Sequence, residues 1–207
     1  MIQSMASKLI DKFNDDGHFD LVGQFSAQLP VDVIAGMLGM VGDGDLFRAW
    51  VTDMIRGLAP VDELREKGLE AHRQFCAHIA PSLENVDDPA RTDHIAKIAR
   101  AEVDGQALDR DEITAFCGLL FIAGGETTDK AIANMWFNLL TRPDAWAAVN
   151  EAPELWDAAF SETMRLTAPV ISEDRFTTAP VEWYGTEIPV GDRVRVCMGS
   201  ALSLIHI

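Results

Sequence analysis

Near the middle of the chain, Ala123-Gly124-Gly125-Glu126-Thr127-Thr128 sets two glycines directly before a carboxylate and two hydroxyls. Inside a helix each glycine costs about 1 kcal/mol relative to alanine, so the pair implies that something benefits from the missing side chains. Close approach of a flat ligand or of another helix would do so. Glu126, Thr127 and Thr128 follow where the backbone ladder is weakest and where a threonine hydroxyl can bond a carbonyl, which can form a local pocket with a proton donor. The same residues also read as a helix broken at the glycines, its second half capped by Thr or Glu, with no ligand involved.

Other chemistry-bearing residues are sparser. Glu162 and Arg165 stand three apart, a spacing that puts them on one helix face as an ion pair, and Glu70 and Arg73 repeat it; such pairs are worth only about 0.2–0.5 kcal/mol when exposed. Arg175 follows Ala168-Pro169, where a guanidinium could hold a ligand carboxylate through paired hydrogen bonds or simply face solvent. His72 and Cys76 are four apart, with His78 nearby, but no further ligand cluster completes a metal site, and His18 and His94 also read as structural. Cys76, Cys117 and Cys197 form no CxxC pair; each reads as a small buried hydrophobe in a reducing compartment. No GxxxxGK[ST], GxSxG, HExxH or GxGxxG pattern is present.

Helices must position these residues. Met5, Leu9 and Phe13 predict a first helix ending at Asn14-Asp15-Asp16-Gly17, and Leu29-Pro30 opens a second that runs to Gly42-Asp43-Gly44. Helices are expected at 45–58, 61–79 and 92–102, with a turn at Asp104-Gly105. Asp109 with Glu112 three residues on predicts a capping box that launches a helix to about Leu140, where Arg142-Pro143 stops it. That is roughly 30 residues, or about 45 Å. Being apolar over much of its circumference, it must cross the body of a domain. One more helix, 154–166, precedes short extended runs, 181–184 and 193–196, read as strands. The fold class is therefore mainly α with a small β region.

The composition of the 207 residues, 48% hydrophobic and 24% charged, is that of a globular domain. The longest apolar stretch, about ten residues, falls short of the roughly 20 that span a membrane. The N-terminus lacks a secretion signal's continuous apolar region, which makes the cytoplasm the expected location. A net charge of −16 disfavours nucleic acid and anionic membrane surfaces as partners.

Taken in order, Ala-Gly-Gly-Glu-Thr-Thr on a long helix, Phe160-Ser161-Glu162-Thr163-Met164-Arg165-Leu166, and Arg175 ahead of Gly-x-x-Ile-Pro-x-Gly at 185–191 resemble cytochrome P450 of the soluble bacterial type. Asp20-Leu21-Val22 and Leu29-Pro30-Val31-Asp32-Val33-Ile34 extend the resemblance upstream, so that residues 1–201 look like a partial P450 domain. The resemblance implies a P450 fold fragment with a long central I helix, a K helix and short strands, and a parent monooxygenase that uses haem (heme). It further implies catalytic roles for Glu126 and Thr127, haem contacts from Ala123, Gly124 and Arg175, and a buried structural ion pair, Glu162–Arg165. Leu119, Ile122, Val170 and Ile171 would face a hydrophobic substrate, and a ferredoxin would donate electrons.

The departures weigh as much. The Phe-Gly-x-Gly-x-His-x-Cys-x-Gly loop that would ligate iron is absent, and neither Cys197, in an expected strand, nor Cys117, inside the long helix, replaces it. The chain is thus expected to lack a metal ligand, to begin inside a longer parent and to be inactive alone, with 202–207 a non-native tail from library DNA. The competing reading is a non-enzymatic helical binding or scaffold module in which Gly124-Gly125 serves packing.

Overall fold

The computed structural model describes residues 1–14 and 17–203, with Val103 described by its backbone alone. The expected turn at 14–17 therefore lies partly, and the end of the expected tail at 204–207 wholly, outside the described residues. The chain divides into two compact units, Met1–Lys130 and the residues from Ala131 onward.

The first unit is built of α1 (Ile2–Ile10), a π-helical turn (Val22–Ser26), α2 (Leu29–Met37), α3 (Gly44–Arg56), α4 (Asp62–Ile79) and α5 (His94–Ala99). A two-stranded ribbon, β1 (Glu102–Val103) with β2 (Gln106–Ala107), leads into the first two thirds of α6 (Arg110–Leu140). Local chemistry sets the helix starts. Asp43 accepts a bond from Asp45 N at 2.9 Å, and Asp93 accepts one from Ala96 N at 3.0 Å. At α6 the capping box is complete, with Asp109 N donating to Glu112 Oε2 and Glu112 N to Asp109 Oδ1, each at 2.8 Å.

The core of this unit gathers Phe47, Trp50, Val51, Phe75, Ile79, Cys117 and Phe121 from α3, α4 and α6. Phe75 and Phe121 stack with centroids 5.0 Å apart. Where α3 turns back into α4, two glycines touch: a Cβ on Gly68 would lie 2.8 Å from the Gly57 Cα and 2.9 Å from the Asp53 carbonyl oxygen. Backbone cannot yield as a flexible side chain does. Gly68→Ala should therefore part the two helices and destabilise the protein by about 1–3 kcal/mol, outweighing alanine's helix preference. Denaturant titration reads this; an unchanged midpoint would show that the contact is not tight.

The second unit holds the end of α6, α7 (Pro143–Glu151), α8 (Trp156–Leu166), two antiparallel pairs and α9 (Met198–Ser203). β3 (Glu173–Phe176) pairs with β6 (Arg193–Val196), setting Arg175 opposite Val194. β4 (Val181–Trp183) pairs with β5 (Thr186–Ile188) around Tyr184-Gly185, both at positive φ, 50° and 76°. Asn134 and Asn138 tie α6 to the end of α8, donating to the Thr167 carbonyl at 2.7 Å and to its hydroxyl at 2.8 Å. Trp136, Trp146 and Trp156 cluster with centroids 5.7–6.5 Å apart.

The architecture is the expected one, mainly helical with short strands, and several details differ. The π-helical turn, α7, α9, the ribbon β1–β2 and the strands β3 and β5 were not anticipated. Cys197 is exposed and follows β6 rather than lying in it, so it is not a buried hydrophobe. Leu202 and Ser203, placed in the expected tail, complete α9.

Candidate active site

The long helix is not broken. α6 continues through Gly124-Gly125 for 31 residues, or about 46 Å, so the reading in which the glycines split it is overturned. What offsets their helix cost is packing within the first unit. A Cβ on Gly125 would lie 3.2 Å from methyl carbons of both Val31 and Val51, and one on Gly124 would lie 3.4 Å from Ile34. The missing side chains thus let α2 and α3 close onto α6. Ile34 lies at ordinary van der Waals distance from the Cβ position of Gly124, so the tighter of the two approaches is the one at Gly125.

The open face of the helix is a different one. Phe116, Leu119 and Ala123, at spacings of three and four, are all exposed, Leu119 by 61%, and half-buried Thr127 continues the stripe. The Thr127 hydroxyl donates to the Ala123 carbonyl at 2.6 Å, which fixes its rotamer and leaves the oxygen's lone pairs available on that face. The small residue beneath any group lying here is Ala123.

Glu126 is one residue round the helix, and its Oε1 accepts a bond from Lys130 Nζ, four residues on. Next to it the unexpected feature of the site appears: Ser26, fully buried at the end of the π-helical turn, donates to Asp129 Oδ1 at 2.6 Å. Burial raises the carboxyl pKa of Asp129, and the Glu126 charge adds to the rise, while the Ser26 bond and Lys130 oppose it. Sequence spacing could have suggested Glu126–Lys130. Nothing in it pointed to a partner 103 residues from Asp129.

A cavity of about 220 Å³ lies against this side of the helix, lined by Val31, Arg48, Arg56, Glu126, Asp129 and Lys130 among others. A larger one, about 550 Å³, lies under the α3–α4 turn, with Met54, Leu58, Leu69 and His72 in its walls together with Ile122, which is partly buried rather than open like Leu119.

In the second unit, Arg165 grips Glu162 in a two-pronged pair, Nε to Oε2 at 2.7 Å and Nη2 to Oε1 at 2.6 Å. Arg165 is 20% exposed and Glu162 52%, so within this chain the pair is partly rather than fully buried. Ile171, exposed, and Arg165 both border a cavity of about 520 Å³ beside Leu166 and Thr167, and Val170 is half-buried next to it in sequence. Arg175 projects from β3, 69% exposed; its Nη1 donates to the Asp174 carbonyl at 2.9 Å and lies 3.6 Å from Glu173 Oε2. Its fork remains accessible to an anionic group.

The cysteines offer no thiolate within these units' interiors. Burial pushes the Cys117 thiol up to about 11, and burial also raises Cys76. No helix among the described residues is long and apolar enough to cross a membrane.

Residues 61–203 match the family model for cytochrome P450. The chain is 31% identical over 202 residues to vitamin D(3) 25-hydroxylase of Pseudonocardia autotrophica, covering 97% of this chain and 49% of that protein. It is 30% identical over 207 residues to a steroid C26-monooxygenase of Mycobacterium tuberculosis, covering 97% and 55%. Among solved structures, ligand-free cytochrome P450 TbtJ1 superposes with a TM-score of 0.85 at 33% identity, covering 97% of this chain and 54% of that one. The chain thus spans about half the length of the relatives it matches. With more than half its residues within the family model, and with α6, its motif and the ordered elements after it in the corresponding fold, this chain belongs to the cytochrome P450 family.

Proposed function

We propose that the full-length protein of which this chain forms about half is a haem-thiolate monooxygenase acting on an apolar organic molecule, and that the chain alone lacks this activity. The observation that carries the reading is the alcohol and acid at the centre of α6: Thr127 bonded back to Ala123 on an open apolar face, with Glu126 beside it. Family membership implies haem in the full-length protein. The residues present fit it, since the open face is apolar and carries the small side chain of Ala123, and the exposed guanidinium of Arg175 suits a propionate.

When bound, the haem supplies dioxygen binding and a path for two electrons, and its thiolate ligand favours O–O cleavage. The chain's own residues supply protons and exclude water. Thr127 can accept and pass on a proton at its Oγ1. Glu126 can take one from the cavity side of the helix and hand it to that hydroxyl, while Phe116 and Leu119 keep the face apolar. Glu162 and Arg165 hold α8 rather than react.

An apolar substrate is supported by two observations. The cavity bordered by Met54, Leu58, Leu69 and Ile122 is of a size for a drug-sized molecule. The relatives' names include a steroid monooxygenase and a vitamin D(3) hydroxylase, and a similar structure, CYP109E1 from Bacillus megaterium, is a complex with testosterone. Leu119, Val170 and Ile171 would add apolar contacts, a ferredoxin-type protein would donate the electrons, and the reaction would take place in the cytoplasm. The decisive experiment is the reduced carbon-monoxide difference spectrum of the full-length protein. A thiolate-type band is expected there and none from residues 1–207 alone; its absence from an intact, haem-loaded full-length protein would overturn the reading.

A further inference from the structure

Asp129 has no part in the chemistry described above, yet it is held with care. It sits three residues after Glu126 and lines the same cavity, between α2, α3 and α6. Its partner Ser26 is wholly buried and is delivered by a π-helical turn, a local distortion that a helix tolerates only where the surroundings hold it. A half-buried carboxylate is a stability liability that an apolar residue would avoid.

The charges around it are arranged for transfer rather than for a static pair. Lys130 is engaged by Glu126, and Arg48 by Asp32 and Asp45. Arg56 has no side-chain partner among the described residues and lies on the cavity wall, where it can hold water and offset negative charge. The cavity has room for several waters, each occupying about 30 Å³ in the liquid.

We propose that Asp129, positioned by Ser26, is the carboxylate that reloads Glu126 with protons from solvent through this cavity. The proposal rests on the monooxygenase reading. In each cycle Thr127 releases its hydroxyl proton to the reacting centre as it takes the proton of Glu126; Asp129 then passes its own proton to Glu126, directly or through a cavity water, and recovers one from solvent, so that one proton moves from solvent to the reacting centre and the three side chains are restored. Burial raises the proton affinity of Asp129 above that of an exposed carboxylate, which favours its taking up a proton.

The test uses the full-length haem-loaded protein and two readouts. In carbon-detected NMR titration of the Asp129 carboxyl, Glu126→Gln should lower the midpoint and Ser26→Ala should raise it, because Glu126 raises and Ser26 lowers the proton affinity in place. In reductant-driven oxygen consumption, Asp129→Asn should slow the rate on the order of tenfold and enlarge the solvent deuterium isotope effect, while Asp129→Glu restores much of it. If Asp129→Asn leaves both the rate and the isotope effect unchanged while Glu126→Gln slows the enzyme, Asp129 is merely structural and the inference fails with the monooxygenase reading intact. If neither variant matters, the proton-delivery reading itself falls. Should Asp129→Asn fail to take up haem, Ser26→Ala decides: an unmoved Asp129 midpoint with an unchanged isotope effect overturns the proposal.

Discussion

Replacing Glu126 by Gln in the full-length enzyme should lower the rate of substrate hydroxylation about 10²-fold or more, with haem binding and fold retained. The size follows from what a positioned proton-transfer group contributes, roughly 10²–10⁴-fold. The substitution is nearly isosteric and keeps a hydrogen-bond acceptor for Lys130 Nζ, so the helix should not change. What is lost is the capacity to carry a proton next to Thr127. Steady-state turnover at saturating substrate, normalised to haem, measures it. A loss confined to KM would mean that Glu126 positions substrate instead.

The largest effect on stability should come from Phe121→Ala. Phe121 is 0% exposed, stacked on Phe75 at 5.0 Å and edge-on to Phe47 at 6.3 Å, so it joins α6 to both α3 and α4. Truncating such a side chain leaves a cavity and costs about 3–5 kcal/mol, a large share of the roughly 5–15 kcal/mol by which a domain is stable. Denaturant unfolding of the full-length protein at fixed haem concentration reads this directly.

How far the sequence reached depends on the range of the interaction. The start of α6 was legible because Asp109 and Glu112 are three residues apart and cap each other, and its end because Pro143 follows Leu140 closely. The Glu162–Arg165 pair was legible for the same local reason. The fate of Gly124-Gly125 was not: propensity alone permits a break, and only Val31, Ile34 and Val51, brought in from α2 and α3, show why the helix continues. The exposure of Glu162 and the bond from Ser26 to Asp129 depend likewise on tertiary placement, which no residue pattern encodes by itself. β1 and β2 were missed because two-residue strands carry no periodicity, although the turn between them, Asp104-Gly105, was read correctly from its residue types.

The most direct test of proton delivery from α6 is the fate of dioxygen in Thr127→Ala. In the full-length enzyme, supplied with a substrate it hydroxylates, the fraction of consumed oxygen recovered as hydrogen peroxide should rise severalfold, while the product formed per oxygen falls in step. That result is predicted because the hydroxyl now bonded to the Ala123 carbonyl would no longer be there to direct the second proton. An unchanged ratio of product to oxygen would contradict the account.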